Sequence, residues 1–138
     1  MTILFMCVAN SARSQLAEGL ARQMFPDAEV FSAGSQPSKL NPSAVKVMDE
    51  IGIDISKHYS KSYDALPAKF IISLDYLITL CAEEVCPTMA SNARKLHWPF
   101  TDPATEEPIL EAESLKRFRE ARDAIQKQLI VFKAEIGK

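Results

Sequence analysis

Short apolar runs alternate with amphipathic stretches along this chain. Thr2–Met6 and Tyr76–Cys81 are largely unbroken apolar runs, which is typical of strands buried on both faces of a sheet. Glu29–Ala33 is a further predicted strand that Gly34 ends, and Lys95–Trp98 is a short fourth one. The pattern therefore predicts four strands distributed along the chain.

Helical spacing appears between these runs. From Arg13 onwards, apolar residues recur every three or four positions until Pro26. A second helix is predicted to begin at Asn41-Pro42, a capping side chain followed by proline, and to end at Gly52. The last helix presents one apolar face, formed by Leu115, Phe118, Ala121, Ile125, Leu129, Phe132 and Ile136.

Alternating strands and helices predict an α/β fold, with a parallel sheet covered by helices on both faces. No repeat or long linker divides the 138 residues, so we expect one domain over residues 1–138. Ligands of such sheets bind beyond the carboxyl ends of the strands. Cys7 and Cys81 each stand at a strand end, and we expect them to lie close together.

Composition narrows the functional classes. A net charge of −2 gives no overall positive field for nucleic acid or an acidic membrane, so an anion site must be local. No apolar run approaches the roughly 20 residues that span a bilayer, and Met1–Met6 is not a signal peptide. Three cysteines are too few for a disulfide scaffold, and zinc-ligand spacings are missing. We therefore predict a cytoplasmic protein without a bound metal or cofactor.

Cys7 and Arg13 bracket a loop between the first strand and the first helix. Backbone N–H groups converge where a loop enters a helix, and the guanidinium adds a planar fork of donors for an oxyanion. The same field favours the Cys7 thiolate. Asn10 tolerates a left-handed turn, and Ser14 is expected to cap the helix and to donate to the Cys7 sulfur. The predicted oxyanion loop comprises Cys7, Val8, Ala9, Asn10, Ser11, Ala12, Arg13 and Ser14.

The segment Cys7-Val-Ala-Asn-Ser-Ala-Arg-Ser-Gln-Leu-Ala-Glu-Gly resembles the active-site segment of the low-molecular-weight protein tyrosine phosphatase superfamily. It is especially similar to the thioredoxin-coupled arsenate reductases of that superfamily. The resemblance covers nearly the whole chain and includes Phe31-Ser-Ala-Gly, Thr79-Leu-Cys, Cys86-Pro and His97-Trp-Pro-Phe-Thr-Asp-Pro. It implies a three-layer α/β/α fold with a four-stranded parallel sheet, Cys7 as the nucleophile and Asp102 as an acid near the sulfur.

Cys81 and Cys86 supply the two further thiols that a reductase of this kind needs. A second thiol can reduce an As(V)–thiolate adduct through an S–S bond, and a third can take that bond over. However, only four residues separate Cys81 from Cys86. In a helix the two would lie about 7.5 Å apart along the axis, whereas a disulfide requires a Cα separation of roughly 4.4–6.8 Å. Either this loop refolds on oxidation, or a small thiol replaces Cys86.

The sequence therefore predicts an arsenate reductase that uses an external thiol reductant. That reductant is thioredoxin, or glutathione or mycothiol with a glutaredoxin-type partner. The alternatives are a phosphatase that needs only Cys7, Arg13 and Asp102, and a catalytically idle anion sensor. Phosphotyrosine phosphatases of the superfamily carry aromatic residues after Asp-Pro, whereas Ala104-Thr105-Glu106-Glu107 follow here, which favours a small inorganic substrate.

The resemblance also implies a monovalent-cation site beside the loop, as some members have. Asn10, Glu18 and Ser32 match its pattern, but Lys61 stands where an acidic ligand is expected. An ammonium group there can take the place of the cation, so we predict no potassium dependence. The two histidines, His58 and His97, are expected to be structural.

Overall fold

A computed structural model of the protein describes residues 1–82, 89, 91–105 and 107–137. A single 3₁₀ turn, Tyr63–Ala65, precedes the third helix. The strands and helices, in chain order, are β1 (Thr2–Cys7), α1 (Arg13–Met24), β2 (Glu29–Gly34), α2 (Pro42–Asp49), α3 (Ala68–Ile72), β3 (Tyr76–Thr79), β4 (Arg94–His97) and α4 (Glu111–Glu135).

The strands form one parallel sheet in the order β2-β1-β3-β4. Side chains of β1 alternate between two hydrophobic clusters. Ile3 and Phe5 pack with α1, α2 and α4 on one face, whereas Leu4 and Met6 pack with Phe70 of α3 on the other. Helices thus cover both faces, which confirms the predicted three-layer α/β/α fold with four parallel strands.

Several boundaries differ from those predicted. Regular β3 pairing ends at Thr79, although the Leu80 amide still donates to the Met6 carbonyl at 2.9 Å. The α2 helix ends at Asp49, and Gly52 takes a φ of 80° in the turn that follows. The sequence pattern missed the 3₁₀ turn and α3, because α3 buries only Phe70 and is too short to show a helical period.

The α4 helix is the longest element and lies across α1 and α2. Its predicted apolar face is confirmed at Phe118, Ile125, Leu129 and Phe132, all of which are buried. In the described part of the chain, no helix is long and apolar enough to cross a membrane.

Candidate active site

The loop from β1 to α1 places Cys7 at the carboxyl end of a central strand. Cys7 is the last residue of β1 and is buried, and α1 begins at Arg13. Asn10 turns the chain between them with a φ of 50°, the left-handed conformation expected of it. The loop therefore leads from the end of β1 into the first turn of α1, where backbone N–H groups lack partners within the helix and can bind an anion.

A small cavity of about 170 Å³ opens at this loop. The Ser14 hydroxyl lies 2.9 Å from the Cys7 sulfur, as expected, but Ser14 does not cap α1. The N-cap position is Ala12, which has no side chain to accept a hydrogen bond, so the expected capping role of Ser14 is wrong. The lining residues are Cys7, Val8, Ala9, Ser11, Ala12, Arg13 and Asp102.

Arg13 is 3% exposed, and its guanidinium contacts groups that lie outside its own loop. Nη1 donates to the Phe100 carbonyl at 2.9 Å and to the Leu80 carbonyl at 3.4 Å. Nη2 lies 3.7 Å from a carboxylate oxygen of Asp102. The other Asp102 oxygen accepts the Ala104 amide at 3.0 Å, so this half-exposed side chain both caps a turn and borders the cavity.

The second cysteine lies beside the loop. In the parallel register, Met6 pairs with Thr79, so one step further brings Cys7 opposite Leu80, and Cys81 follows directly. Cys81 is buried and takes part in a disulfide bond, whereas Cys7 is a free thiol. The structure thus brings Cys7, Arg13, Asp102 and Cys81 to one edge of the sheet, while Cys86 lies outside the described residues.

The Asn10 side chain ties the loop to its surroundings. Its Nδ2 donates to Ser14 Oγ at 2.7 Å and to Ser32 Oγ at 2.9 Å, and its Oδ1 accepts the Lys61 amide at 3.1 Å. Gln15 Nε2 donates to the Asn10 carbonyl at 3.1 Å, a contact that the sequence pattern did not reveal. The Ser60 hydroxyl also donates to the Asn10 carbonyl, at 2.7 Å. Because these partners belong to several separate segments, the contacts fix Asn10 and the loop relative to them.

Gly34 is a second residue that the sequence reasoning missed as a determinant of the site. It ends β2 opposite Cys7. The residues that follow it donate backbone hydrogen bonds to the loop, including one from the Gln36 amide to the Val8 carbonyl at 2.9 Å. A Cβ atom at position 34 would lie 2.3 Å from that Val8 oxygen and 2.9 Å from the Cys7 oxygen. Only glycine allows the two backbones to approach this closely.

Gly34→Ala is therefore expected to push Cys7 and Val8 out of position. We expect a loss of roughly 1–3 kcal/mol in the free energy of unfolding, and a fall in activity approaching about 10²-fold. Gly19→Ala is the matched control, because the nearest atoms to a Cβ there are side-chain atoms of Met48 and Ile55 and not the backbone of the Cys7 loop. Chemical denaturation and activity assays of both variants test this, and equal activities for the two would contradict it.

Lys61 and Glu18 form a buried charged pair behind the loop. Lys61 Nζ lies 3.8 Å from Glu18 Oε1 and 3.4 Å from the Tyr59 carbonyl, and Ser32 Oγ donates to the same Glu18 oxygen at 2.8 Å. Burial lowers the pKa of Lys61, and the Glu18 charge opposes this by raising it. The ammonium group thus faces Glu18 next to the Asn10–Ser32 contact, where the resemblance implied a bound cation.

His58 contacts the same cluster, with Nδ1 3.1 Å from Gln15 Oε1 and 3.2 Å from Glu18 Oε2. Both neighbours are oxygen atoms, which can accept a hydrogen bond from a protonated Nδ1. Burial lowers the pKa of His58, partly offset by Glu18. His97 is exposed and bonds to Thr79 Oγ1 at 2.8 Å. Neither histidine lines the cavity.

We predict that replacing potassium chloride by sodium or choline chloride, at constant ionic strength, leaves the activity of the protein unchanged. Lys61→Ala removes the nearby ammonium group from Glu18, so this variant is expected to be less stable and to gain activity when potassium is added. The exposed Lys57 provides the control variant Lys57→Ala. A potassium requirement in the parent protein would show that Lys61 does not replace the cation.

Comparisons with known proteins show the family to which the chain belongs. The family model for low molecular weight phosphotyrosine protein phosphatase matches residues 2–138, and the chain belongs to that family. An arsenate reductase of Halalkalibacterium halodurans is 44% identical over 99% of this chain and 96% of its own length. The arsenate reductase of Bacillus subtilis is 42% identical with the same coverage.

Solved structures give the same result. An arsenate reductase in the phosphate-binding state superposes with a TM-score of 0.77 at 29% identity, covering 98% of both chains. A thioredoxin-dependent arsenate reductase of Corynebacterium glutamicum reaches 0.65 at 29% identity, covering 97% of this chain and 62% of that one. The predicted resemblance to the arsenate reductases of this family, and the prediction of an enzyme of this type, are confirmed.

Proposed function

We propose that this protein reduces arsenate to arsenite through a thiol relay that begins at Cys7. One observation carries the proposal: a free Cys7 thiol lines a small cavity of about 170 Å³ beside the strand end that leads into Cys81. A phosphatase needs the first thiol alone, whereas a reductase also needs a second sulfur within reach.

In the first step, the Cys7 thiolate attacks arsenic and an As–O bond breaks. The backbone N–H groups of the loop and the Arg13 guanidinium hold the oxyanion. Asp102 borders the same cavity and protonates the departing oxygen, which leaves as water. The product is a Cys7–arsenate thioester in which arsenic is still As(V).

In the second step, the Cys81 thiolate attacks the sulfur of Cys7. The new S–S bond forms as the S–As bond breaks, and its electron pair remains on arsenic, which is reduced to As(III) and released as arsenite. Cys86 then attacks Cys81, forms a Cys81–Cys86 bond and frees Cys7. Cys81 is disulfide-bonded while Cys7 keeps a free thiol, which is the bonding expected at the end of this sequence.

An external dithiol must reduce the last disulfide for the next turnover. We propose a thioredoxin-like protein, because one structural neighbour is a thioredoxin-dependent arsenate reductase. Glutathione or mycothiol with a glutaredoxin-type protein is the alternative. The need for such a reductant fits a reducing compartment such as the cytoplasm.

The cavity favours a small oxyanion over a phosphotyrosine peptide. Pockets for drug-sized ligands measure about 300–1,000 Å³, whereas this one measures about 170 Å³. Beyond Pro103, the half-buried Ala104 and the exposed Thr105 provide no aromatic wall. Phosphoester hydrolysis remains the second candidate, because Cys7, Arg13 and Asp102 are the groups that it requires.

The test is arsenate-dependent oxidation of NADPH with thioredoxin and thioredoxin reductase, run beside glutathione and glutaredoxin. Hydrolysis of p-nitrophenyl phosphate is measured on the same preparation. Arsenate-dependent turnover with either donor supports the reductase. Hydrolysis without any arsenate-dependent turnover would replace it with the phosphatase.

A further inference from the structure

Arg13 contacts two segments of chain that lie far from it in sequence. Its Nη1 group donates to the carbonyls of Leu80 and Phe100, which are 67 and 87 positions away. Both contacts are made by the same nitrogen, Nη1, and the side chain is almost fully buried. An arginine that only bound an oxyanion would not need to contact these two carbonyls.

The two carbonyls belong to the segments that carry the other reacting groups. Leu80 directly precedes Cys81, and Phe100 lies two residues before Asp102. The segments are also tied to each other, since the Phe100 amide donates to the Leu80 carbonyl at 3.1 Å and the Trp98 amide donates to the Thr79 carbonyl at 2.8 Å. The Leu80 oxygen therefore accepts from both Arg13 and Phe100.

We propose that Arg13 is a positioning residue for Cys81 in addition to its contact with the oxyanion. This inference rests on the proposed relay. The guanidinium fixes the strand end beyond β3 relative to the Cys7 loop, and so sets the distance over which the Cys81 sulfur attacks Cys7. The Leu80 amide, bound to Met6, holds the same strand end from the other side.

Lysine cannot reproduce this arrangement. A guanidinium offers five N–H donors in a fixed plane, so it can serve two carbonyls on one edge and an anion on another. An ammonium group is a compact point charge, so a lysine at position 13 would contact either the two carbonyls or the anion, but not both. A displacement of about 1 Å between reacting atoms can slow a reaction by about 10²-fold.

The attack of one thiol on the other can be measured without arsenic. In Cys86→Ser, limiting 2,2′-dipyridyl disulfide converts one thiol to a mixed disulfide and releases one thiopyridone. The remaining thiol then attacks this mixed disulfide, forms the Cys7–Cys81 bond and releases a second thiopyridone. The second release is a unimolecular thiol–disulfide exchange in which a thiolate is the nucleophile and no oxyanion takes part. Buffers free of phosphate and sulfate keep oxyanions out of the loop.

Arg13→Lys in this background is expected to slow the second release by about 10- to 100-fold. Arg117→Lys is the matched control, because Arg117 is exposed and pairs only with Glu113 in the structure described. A further comparison isolates Cys81. The double variant Cys7→Ser/Cys86→Ser keeps Cys81 as its remaining thiol, and the rate of its bimolecular reaction with the reagent is measured with and without Arg13→Lys. That rate is expected to stay the same, since positioning does not change the reactivity of the sulfur itself.

Three results would overturn the proposal, each in a distinguishable way. An unchanged second release in Arg13→Lys would confine Arg13 to the oxyanion. Equal slowing of the bimolecular reaction would mean that Arg13 alters the Cys81 thiol and not its position. The absence of any second release in Cys86→Ser itself would remove the relay, and with it the proposed function. Trp98 fluorescence checks the fold, and Arg13→Gln carries the same test if Arg13→Lys does not fold.

Discussion

Cys7→Ser is expected to abolish arsenate reduction and phosphoester hydrolysis together, because both reactions begin with the same thiolate. A serine hydroxyl is scarcely ionised near pH 7, and the contact with Ser14 supplies no general base. Loss of a nucleophile lowers kcat by orders of magnitude, and we expect a fall of about 10⁴-fold or more. Steady-state assays of both reactions on one preparation measure it.

The loop itself is expected to survive this change, because oxygen replaces sulfur and the Asn10 side chain, which holds the loop, bonds to Ser14, Ser32 and Lys61. Phosphate is therefore expected to bind and to raise the melting temperature of Cys7→Ser, as we also expect for the parent protein. This distinguishes a missing nucleophile from a collapsed site. Normal reductase turnover in the variant would overturn the assignment of Cys7.

Cys81→Ser is expected to separate the two activities. Multiple-turnover arsenate reduction should be lost, because no second sulfur receives the bond from Cys7, while p-nitrophenyl phosphate hydrolysis should remain nearly intact. Hydrolysis requires one thiolate, an anion site and an acid, and Cys81 supplies none of these. Reduction at the parent rate in Cys81→Ser would show that the relay inside the chain is wrong.

Cys86→Ser is the matched comparison, since it removes the third sulfur and leaves the second. It is expected to complete one turnover, to accumulate a Cys7–Cys81 disulfide and then to stall, unless a small thiol resolves that bond. Mass spectrometry after one equivalent of arsenate identifies the disulfide in each variant. If no disulfide forms in the parent protein, the phosphatase should replace the reductase.

The sequence alone determined the parts of the site that are local. The apolar run of β1, the turn at Asn10 and the amphipathic pattern from Arg13 predicted a loop entering a helix behind a buried strand. The apolar face of α4 was equally clear, because a 25-residue helix repeats its period many times. Such features depend on neighbours within a few positions, which the sequence displays directly.

Only the tertiary structure decided how that loop is held. Gly34 must be glycine because β2 pairs with β1 in one particular register, which brings position 34 against the Val8 carbonyl. Likewise, the Arg13 guanidinium meets Leu80 and Phe100 because the strand ends converge at one edge of the sheet. These contacts depend on strand order and register, which are set by burial over the whole sheet and leave no periodic signal in the sequence.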